Sequence, residues 1–138
     1  MVCSRRSGMN HLMEIKIYYE DTDCGNVVYY ANYLRYMERA RTEYMAARGA
    51  SVKTLMDQGT LFMIIRAEVD YRASARYGDT LLVETWVPEN TGATITFQHT
   101  MKEKISNRIV TECKAIAVCV DAKGKPKRIP HAALEKLR

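Results

Sequence analysis

The chain has 138 residues, of which 47% are hydrophobic and 27% charged, and its formal net charge at neutral pH is +5. This length and composition predict a single soluble globular domain, and no apolar run approaches the roughly 18 residues that a transmembrane helix needs. The positive charge indicates an anionic partner, so nucleic acid, a membrane surface and a phosphorylated small molecule are the classes to separate.

Residues 1–10 carry Arg5 and Arg6 but no apolar core follows them, so the sequence predicts a short disordered lead-in rather than a signal peptide. Residues 11–138 are predicted to form one domain, without stable membrane insertion. The cysteines stand at positions 3, 24, 113 and 119, and no pair of them has the spacing of metal ligands. They are interpreted as reduced thiols, which predicts a cytoplasmic protein.

The first half of the chain predicts a strand, a loop and a long helix. Alternation places Ile15, Ile17 and Tyr19 on one face of a strand over residues 12–20. Asp, Gly and Asn residues break this pattern over residues 21–26 and predict a loop. A helix is predicted over residues 30–48, because apolar residues recur there at steps of three and four. These residues are Tyr33, Met37, Ala40, Tyr44 and Ala47.

The second half of the chain is dominated by predicted strands. After a short helix over residues 51–58, strands are predicted at residues 61–71, 79–88, 94–105 and 108–121, and a last helix follows Pro130. The order predicts an α+β domain in which an antiparallel sheet wraps around one long central helix. The open edge of such a sheet predicts pairing with a second copy, as a homodimer or a homotetramer.

The loop before the long helix has the residue types of a site that acts on a carbonyl group. Asp21 and Asp23 precede the free backbone N–H groups of a helix start by a few residues. A carboxylate can attack or deprotonate, while N–H groups and the positive helix end stabilise charge on an oxygen. The structural alternative is an aspartate that caps the helix or forms an Asx turn. Cys24 is interpreted as a small loop residue, because neighbouring carboxylates disfavour a thiolate.

The same stretch resembles the signature of hotdog-fold acyl-CoA thioesterases. It reads Tyr-Tyr-Glu-Asp-Thr-Asp from position 18, followed by Gly25, Val-Val-Tyr from position 27, Tyr33 and Glu-Arg-Ala-Arg-Thr from position 38. Within that fold the chain is similar to the 4-hydroxybenzoyl-CoA thioesterase family, and most similar to its Tol–Pal-associated branch. Supporting matches are Arg66, Val69-Asp70-Tyr71, Ala73, Ala75-Arg76, Asp79, Val118-Cys119-Val120-Asp121 and Lys125-Pro126-Lys127-Arg128.

The resemblance implies hydrolysis of an acyl-CoA, or of an acyl-carrier-protein thioester, to a free acid and a thiol. It implies no cofactor and no metal, since coenzyme A is part of the substrate. Asp23 would be the catalytic carboxylate, either as a nucleophile that forms an acyl anhydride or as a base that activates water. The backbone N–H of Tyr30 would stabilise the oxyanion. The Tol–Pal-associated branch often carries His where this chain has Tyr30, so a His contribution to acid–base catalysis is absent here.

The remaining candidate residues are assigned to substrate binding. Arg66, Lys125 and Arg128 could meet the phosphates of coenzyme A. Tyrosines on the helix could line the acyl or pantetheine channel, although such a stripe also describes a helix core. Glu38 is a rival carboxylate, or alternatively the partner of Arg41 in a helix ion pair. The full set is Gly25, Val28, Tyr29, Tyr33, Glu38, Arg66, Lys125 and Arg128.

Three other functions compete with hydrolysis. A hydratase or dehydratase of the same fold needs a histidine paired with an acid, and His11, His99 and His131 all lie outside the loop and the long helix. A nucleic-acid-binding module would account for the charge, but no recognised nucleic-acid motif occurs. A silent acyl-CoA binder would share the fold and differ only in lacking chemistry at Asp23.

Overall fold

The computed structural model describes residues 10–137. Its strands are β1 (His11–Lys16), β2 (Leu61–Tyr71), β3 (Thr80–Asn90), β4 (Thr94–Glu103) and β5 (Ile109–Val120). Its helices are α1 (Asn32–Ala47), α2 (Val52–Asp57) and α3 (His131–Leu137), with a 3-10 turn at Tyr19–Asp21. The strands form one antiparallel sheet in the order β1-β3-β4-β5-β2. The predicted α+β hotdog architecture is therefore confirmed.

Helix α1 lies against the inner face of the sheet through its apolar stripe. Tyr33, Met37, Ala40 and Tyr44 are buried as predicted, whereas Ala47 in the last turn is exposed. These side chains pack on inward-facing residues of the strands, in two clusters that follow one another along the helix. This packing places the N-terminal end of α1, and the loop before it, at one end of the sheet.

The first strand is shorter than the alternation of its sequence predicts. It ends at Lys16, and Tyr19 belongs to a 3-10 turn in which 74% of its surface is exposed, so its predicted place on a strand face is wrong. A carboxylate oxygen of Asp21 accepts a hydrogen bond from the N–H of Tyr18 at 2.8 Å, which bends the backbone out of the sheet. Tyrosines are common in strands, so their side chains alone gave no sign of this bend.

Residues 1–9 of the predicted lead-in lie outside the described residues. Asn10 lies beside β1, where its side-chain amide donates to the Glu84 carboxylate at 2.7 Å. None of the helices within residues 10–137 is long and apolar enough to cross a membrane.

Strand β2 forms one edge of the sheet and leaves apolar side chains uncovered. It has 11 residues, bonds only β5 among the described strands, and has a bulge between Ile64 and Arg66. Met63 and Ile65 are 50% and 59% exposed. Native proteins seldom leave so long an apolar edge strand unpaired.

Candidate active site

The loop that contains Asp21 and Asp23, here called the acidic loop (residues 21–26), folds back on itself as a small hairpin before α1. The N–H of Asp23 donates to the carbonyl of Val27 at 3.0 Å, and Thr22 forms a bridge with Val28. The N–H of Val28 donates to the carbonyl of Ala75 at 2.9 Å, which ties the hairpin to the segment that follows β2. The loop is thus fixed from within and from the sheet.

The Asp23 side chain is exposed and is oriented by its own loop. One of its oxygens, Oδ1, accepts a hydrogen bond from the N–H of Gly25 at 2.9 Å. This is the Asx turn that the sequence offered as the structural alternative. It accounts for one oxygen of the carboxylate and leaves the group at the surface, where a substrate can reach it.

The turn itself depends on the backbone of Asn26 rather than on that of Gly25. Asn26 has a φ of 62°, in the left-handed region, which asparagine tolerates better than most residues. Gly25 has no such φ, but a Cβ at this position would lie 3.3 Å from Asp23 Oδ1. The absence of a side chain at Gly25 therefore lets the carboxylate approach the backbone.

Asp21 organises the loop through both its backbone carbonyl and its side chain. The carbonyl accepts from the N–H of Tyr29 at 3.0 Å and from the side-chain amide of Asn32 at 2.9 Å. Burial raises the pKa of the Tyr36 hydroxyl, and the nearby charge of Asp21 raises it further. No acceptor or donor within residues 10–137 meets that hydroxyl at hydrogen-bond geometry.

Free backbone donors lie where the loop meets α1. The N–H groups of Tyr30 and Ala31 donate to no acceptor within residues 10–137, and no side chain caps the helix. The next N–H groups, at Asn32 and Tyr33, already donate to carbonyls of the preceding turn. Free donors at the positive end of a helix dipole can bind an oxyanion.

The tyrosines around this end of the helix divide into core and surface residues. Tyr33 is 2% exposed, and its hydroxyl accepts a hydrogen bond from the N–H of Ala75 at 3.3 Å. Burial raises the pKa of Tyr33, so this group stays a neutral phenol. Val28 is also buried, so neither residue offers substrate an open surface. Tyr29 and Tyr30 are exposed, with ring centroids 5.0 Å apart.

Glu38 lies further along α1, in a separate groove. Its carboxylate accepts from the Thr42 hydroxyl at 2.7 Å. Burial lowers the pKa of Arg41, and the charge of Glu38 opposes that shift. Both residues line an open groove of about 260 Å³ between α1, α2 and β2, with the apolar side chains of Met45, Phe62 and Ile64. In one chain this groove is distinct from the acidic loop.

The predicted phosphate-binding residues do not meet the acidic loop within one chain. Lys125 and Arg128 follow the end of β5, where Lys127 Nζ donates to the Thr60 hydroxyl at 2.9 Å. The acidic loop is tied to Ala75, beyond the opposite end of the sheet. Strand β5 has 12 residues, which span roughly 40 Å at about 3.3 Å each. Arg66 lies between these ends, on β2, where it contacts Glu68 at 2.8 Å.

Within residues 10–137 no histidine pairs with an acid at the acidic loop, as a hydratase would need. His99 is fully buried, its Nδ1 lies 2.8 Å from the Thr85 hydroxyl, and its other nitrogen has no partner within residues 10–137. Burial, and secondarily the charge of Arg41, lowers the pKa of His99 to about 3. His131 lies on α3 and contacts Glu135 at 3.6 Å. The described residues contain no group of three His, Cys, Asp or Glu side chains that could hold a metal ion.

Two residues that sequence reasoning did not single out complete the surroundings of the helix start. Ala75 is bonded to both Val28 and Tyr33, and Tyr71 donates its hydroxyl to the carbonyl of Tyr30 at 3.2 Å. Both residues fall inside motifs that matched the resemblance, so their positions were visible. Their contacts were not, because they join segments more than 40 residues apart.

Comparison with known proteins gives a consistent result. A family model for the thioesterase-like superfamily matches residues 18–137. The chain is 38% identical over 118 residues to acyl-CoA thioesterase YbgC of Haemophilus influenzae, covering 84% of this chain and 85% of that protein. It is 34% identical over 125 residues to acyl-CoA thioester hydrolase YbgC of Escherichia coli O6:H1, covering 90% and 92%. In fold it is similar to the 4-hydroxybenzoyl-CoA thioesterase of a Pseudomonas species, with a TM-score of 0.83, 21% identity and coverage of 92% and 98%.

Proposed function

Because this chain belongs to the thioesterase-like superfamily, we propose that it hydrolyses acyl-CoA thioesters at the acidic loop. The observation that carries the proposal is the junction of an exposed carboxylate, Asp23, with unused N–H groups at Tyr30 and Ala31. The relatives with 34% and 38% identity are acyl-CoA thioesterases, and the similarity extends over most of their length. This supports the same substrate class here. Assignment to the Tol–Pal-associated branch, a cytoplasmic location and the acyl-carrier-protein alternative stay predictions.

In the proposed reaction the thioester carbonyl oxygen accepts a hydrogen bond from the N–H of Tyr30. This bond stabilises the negative charge that develops on the oxygen. Asp23 either attacks the carbonyl carbon, giving an anhydride that water then opens, or removes a proton from a water that attacks directly. In both routes the carbon–sulfur bond breaks, water supplies the new oxygen, and the thiol leaves with a proton. The products are a free acid and coenzyme A, and no cofactor takes part.

We propose that a second copy completes the substrate site. Antiparallel pairing of two β2 edges about a two-fold axis would set the Tyr71 end of one strand beside the Leu61 end of the other. The basic turn, residues 125–128, lies at the Leu61 end, since Leu61 pairs with Val120 at the end of β5. The partner copy would thereby supply Lys125 and Arg128 near this copy's Asp23. Such cations suit the phosphates of coenzyme A.

The second candidate function is binding of acyl-CoA without hydrolysis. The hydrogen bond from Gly25 to Asp23 favours it, because a carboxylate that only shapes the loop would make this same contact. The two functions differ in a single measurable property, the release of free thiol from a bound thioester.

The test is the substitution Asp23→Asn, assayed by thiol release from short-chain, long-chain and aromatic acyl-CoAs. We expect the rate to fall by at least about a hundredfold on the best substrate, which is the scale of losing a positioned acid or base. The matched control is Asp57→Asn, because Asp57 is an exposed aspartate on α2 that contacts Lys53. Near wild-type hydrolysis by Asp23→Asn would refute the assignment, and binding without turnover by the wild-type protein would favour the silent binder.

A further inference from the structure

Tyr71 reaches from the sheet to the first turn of α1. It is the last residue of β2, and its hydroxyl donates to the carbonyl of Tyr30 at 3.2 Å. Its ring meets the Tyr30 ring at 6.3 Å and the Tyr33 ring at 5.7 Å, both edge to face. Tyr71 therefore holds the start of the helix both by packing and by a hydrogen bond.

The bonded carbonyl belongs to the peptide unit that also contains the N–H of Ala31. This N–H and that of Tyr30 are the free donors at the helix start within residues 10–137. A donor at the carbonyl end of a peptide polarises the unit, which strengthens hydrogen bonds from its N–H end. The same contact restricts rotation about ψ of residue 30, so the direction of the Ala31 N–H is fixed as well.

This contact matters because the helix itself holds the same carbonyl weakly. The N–H of Tyr33 donates to the Tyr30 carbonyl at 3.4 Å, close to the longest distance for such a bond. The side chain of Tyr30 is 62% exposed and gives the backbone little support from the core. Burial raises the pKa of Tyr71, so its hydroxyl stays protonated and can donate throughout the neutral range.

We propose that Tyr71 is a positioning residue for thioester hydrolysis, which holds and polarises the peptide between Tyr30 and Ala31 so that the Ala31 N–H binds the developing oxyanion beside the N–H of Tyr30. The inference rests on the proposed function of the acidic loop. In this proposal Tyr71 touches no reacting atom. Its effect is on the stabilisation of the transition state rather than on the capture of the substrate.

The test is Tyr71→Phe, which keeps the ring contacts and removes only the hydroxyl. We expect kcat to fall about tenfold, which is the scale of one hydrogen bond, with KM within about twofold and the thermal midpoint nearly unchanged. The control is Tyr77→Phe, because Tyr77 is similarly exposed and contacts the ring of Tyr19. That variant should keep the wild-type kcat.

A spectroscopic measurement separates positioning from a merely structural role. The best-hydrolysed acyl-CoA, labelled with ¹³C at its carbonyl, is bound to Asp23→Asn and to Asp23→Asn/Tyr71→Phe. The carbonyl stretch should lie at lower frequency in the first complex, because a stronger oxyanion site polarises the bond more. An unchanged kcat in Tyr71→Phe, or equal frequencies in the two complexes, would overturn this inference. Failure of Asp23→Asn to slow hydrolysis would instead overturn the proposed function.

Discussion

Asp23 has two carboxylate oxygens, and within residues 10–137 only Oδ1 accepts a hydrogen bond. A structural role and a catalytic role are therefore compatible in one side chain. The bond from Gly25 restricts the rotation of the carboxylate, while the second oxygen stays available to a water molecule or a carbonyl carbon. Restricting a reacting group in this way lowers the entropy cost of reaching the transition state.

Alanine substitutions at Gly25 and Asn26 should have different effects. Gly25→Ala introduces a Cβ that would lie 3.3 Å from Asp23 Oδ1, so we expect a loss of kcat of about tenfold or more with little loss of stability. Asn26→Ala forces alanine to a φ of 62°, which should lower the free energy of unfolding by about 1 kcal/mol. Kinetics and urea unfolding of both variants check this, and Asn26→Gly is the control that relieves the strain. Equal effects of the two alanine substitutions on kcat would contradict the assignment of a catalytic effect to Gly25→Ala and a stability effect to Asn26→Ala.

At the level of elements, the sequence predicted those parts of the fold that depend on local periodicity. The helix predicted over residues 30–48 and the strand predicted over residues 94–105 lie close to the observed α1 and β4. The end of β1 could not be predicted, because the tyrosines continue its pattern and the hydrogen bonds of the turn between Tyr18 and Asp21 end it. The order of the acidic loop indicated Asp23 and Tyr30 through a resemblance, whereas the contacts of Tyr71 and Ala75 arise only when distant strands pair.

The buried histidine of β4 should make stability depend on pH. The folded chain lowers the pKa of His99 to about 3 through burial and the charge of Arg41, while the unfolded value is near 6.5. Below pH 6.5 the His99 side chain therefore binds a proton in the unfolded chain but stays neutral in the folded chain. Neutral His99 contributes its full stability above that pH, and the contribution falls by up to about 1.4 kcal/mol per pH unit as the solution is acidified toward pH 3.

Chemical denaturation between pH 7 and pH 4.5 measures this slope. His99→Gln should flatten it, whatever its stability at pH 7, because glutamine has no proton to take up in this range. His131→Gln, on the exposed face of α3, should leave the slope as it is in the wild type. An unchanged slope in His99→Gln would show that other groups cause the acid sensitivity. Glu103 is one such group, since bonds from the N–H groups of Ser106 and Ile105 lower its pKa.

For the whole molecule, the decisive surface is the free edge of β2. The groove beside Glu38 adjoins this edge, since Phe62 and Ile64 of β2 line it. A partner that pairs with β2 would cover both, and would remove the exposed strand edge that otherwise favours aggregation. The proposed binding of coenzyme A then depends on assembly, because its cations come from the second copy.

Charging the edge should separate the copies. In Met63→Lys/Ile65→Lys we expect a monomer in sedimentation velocity at micromolar concentration, because lysines oppose edge pairing. Acyl-CoA hydrolysis should fall at least about tenfold, mainly through KM, as the phosphate contacts are lost. The control is Ile105→Lys at the turn after β4, where the side chain is 91% exposed. A fully active monomer would exclude a shared site, and a wild-type monomer would exclude the dimer itself.

The two hydrogen bonds of Ala75 link the acidic loop and α1 to the segment that leaves β2. A second copy paired on β2 would hold this segment in place and, through Ala75, would hold the loop as well. Turnover per chain would then vary with the total concentration of enzyme, falling on dilution below the dissociation constant of the dimer. Progress curves started from a concentrated stock would slow over time as the copies separate, and those started from a dilute stock would begin slowly from the outset.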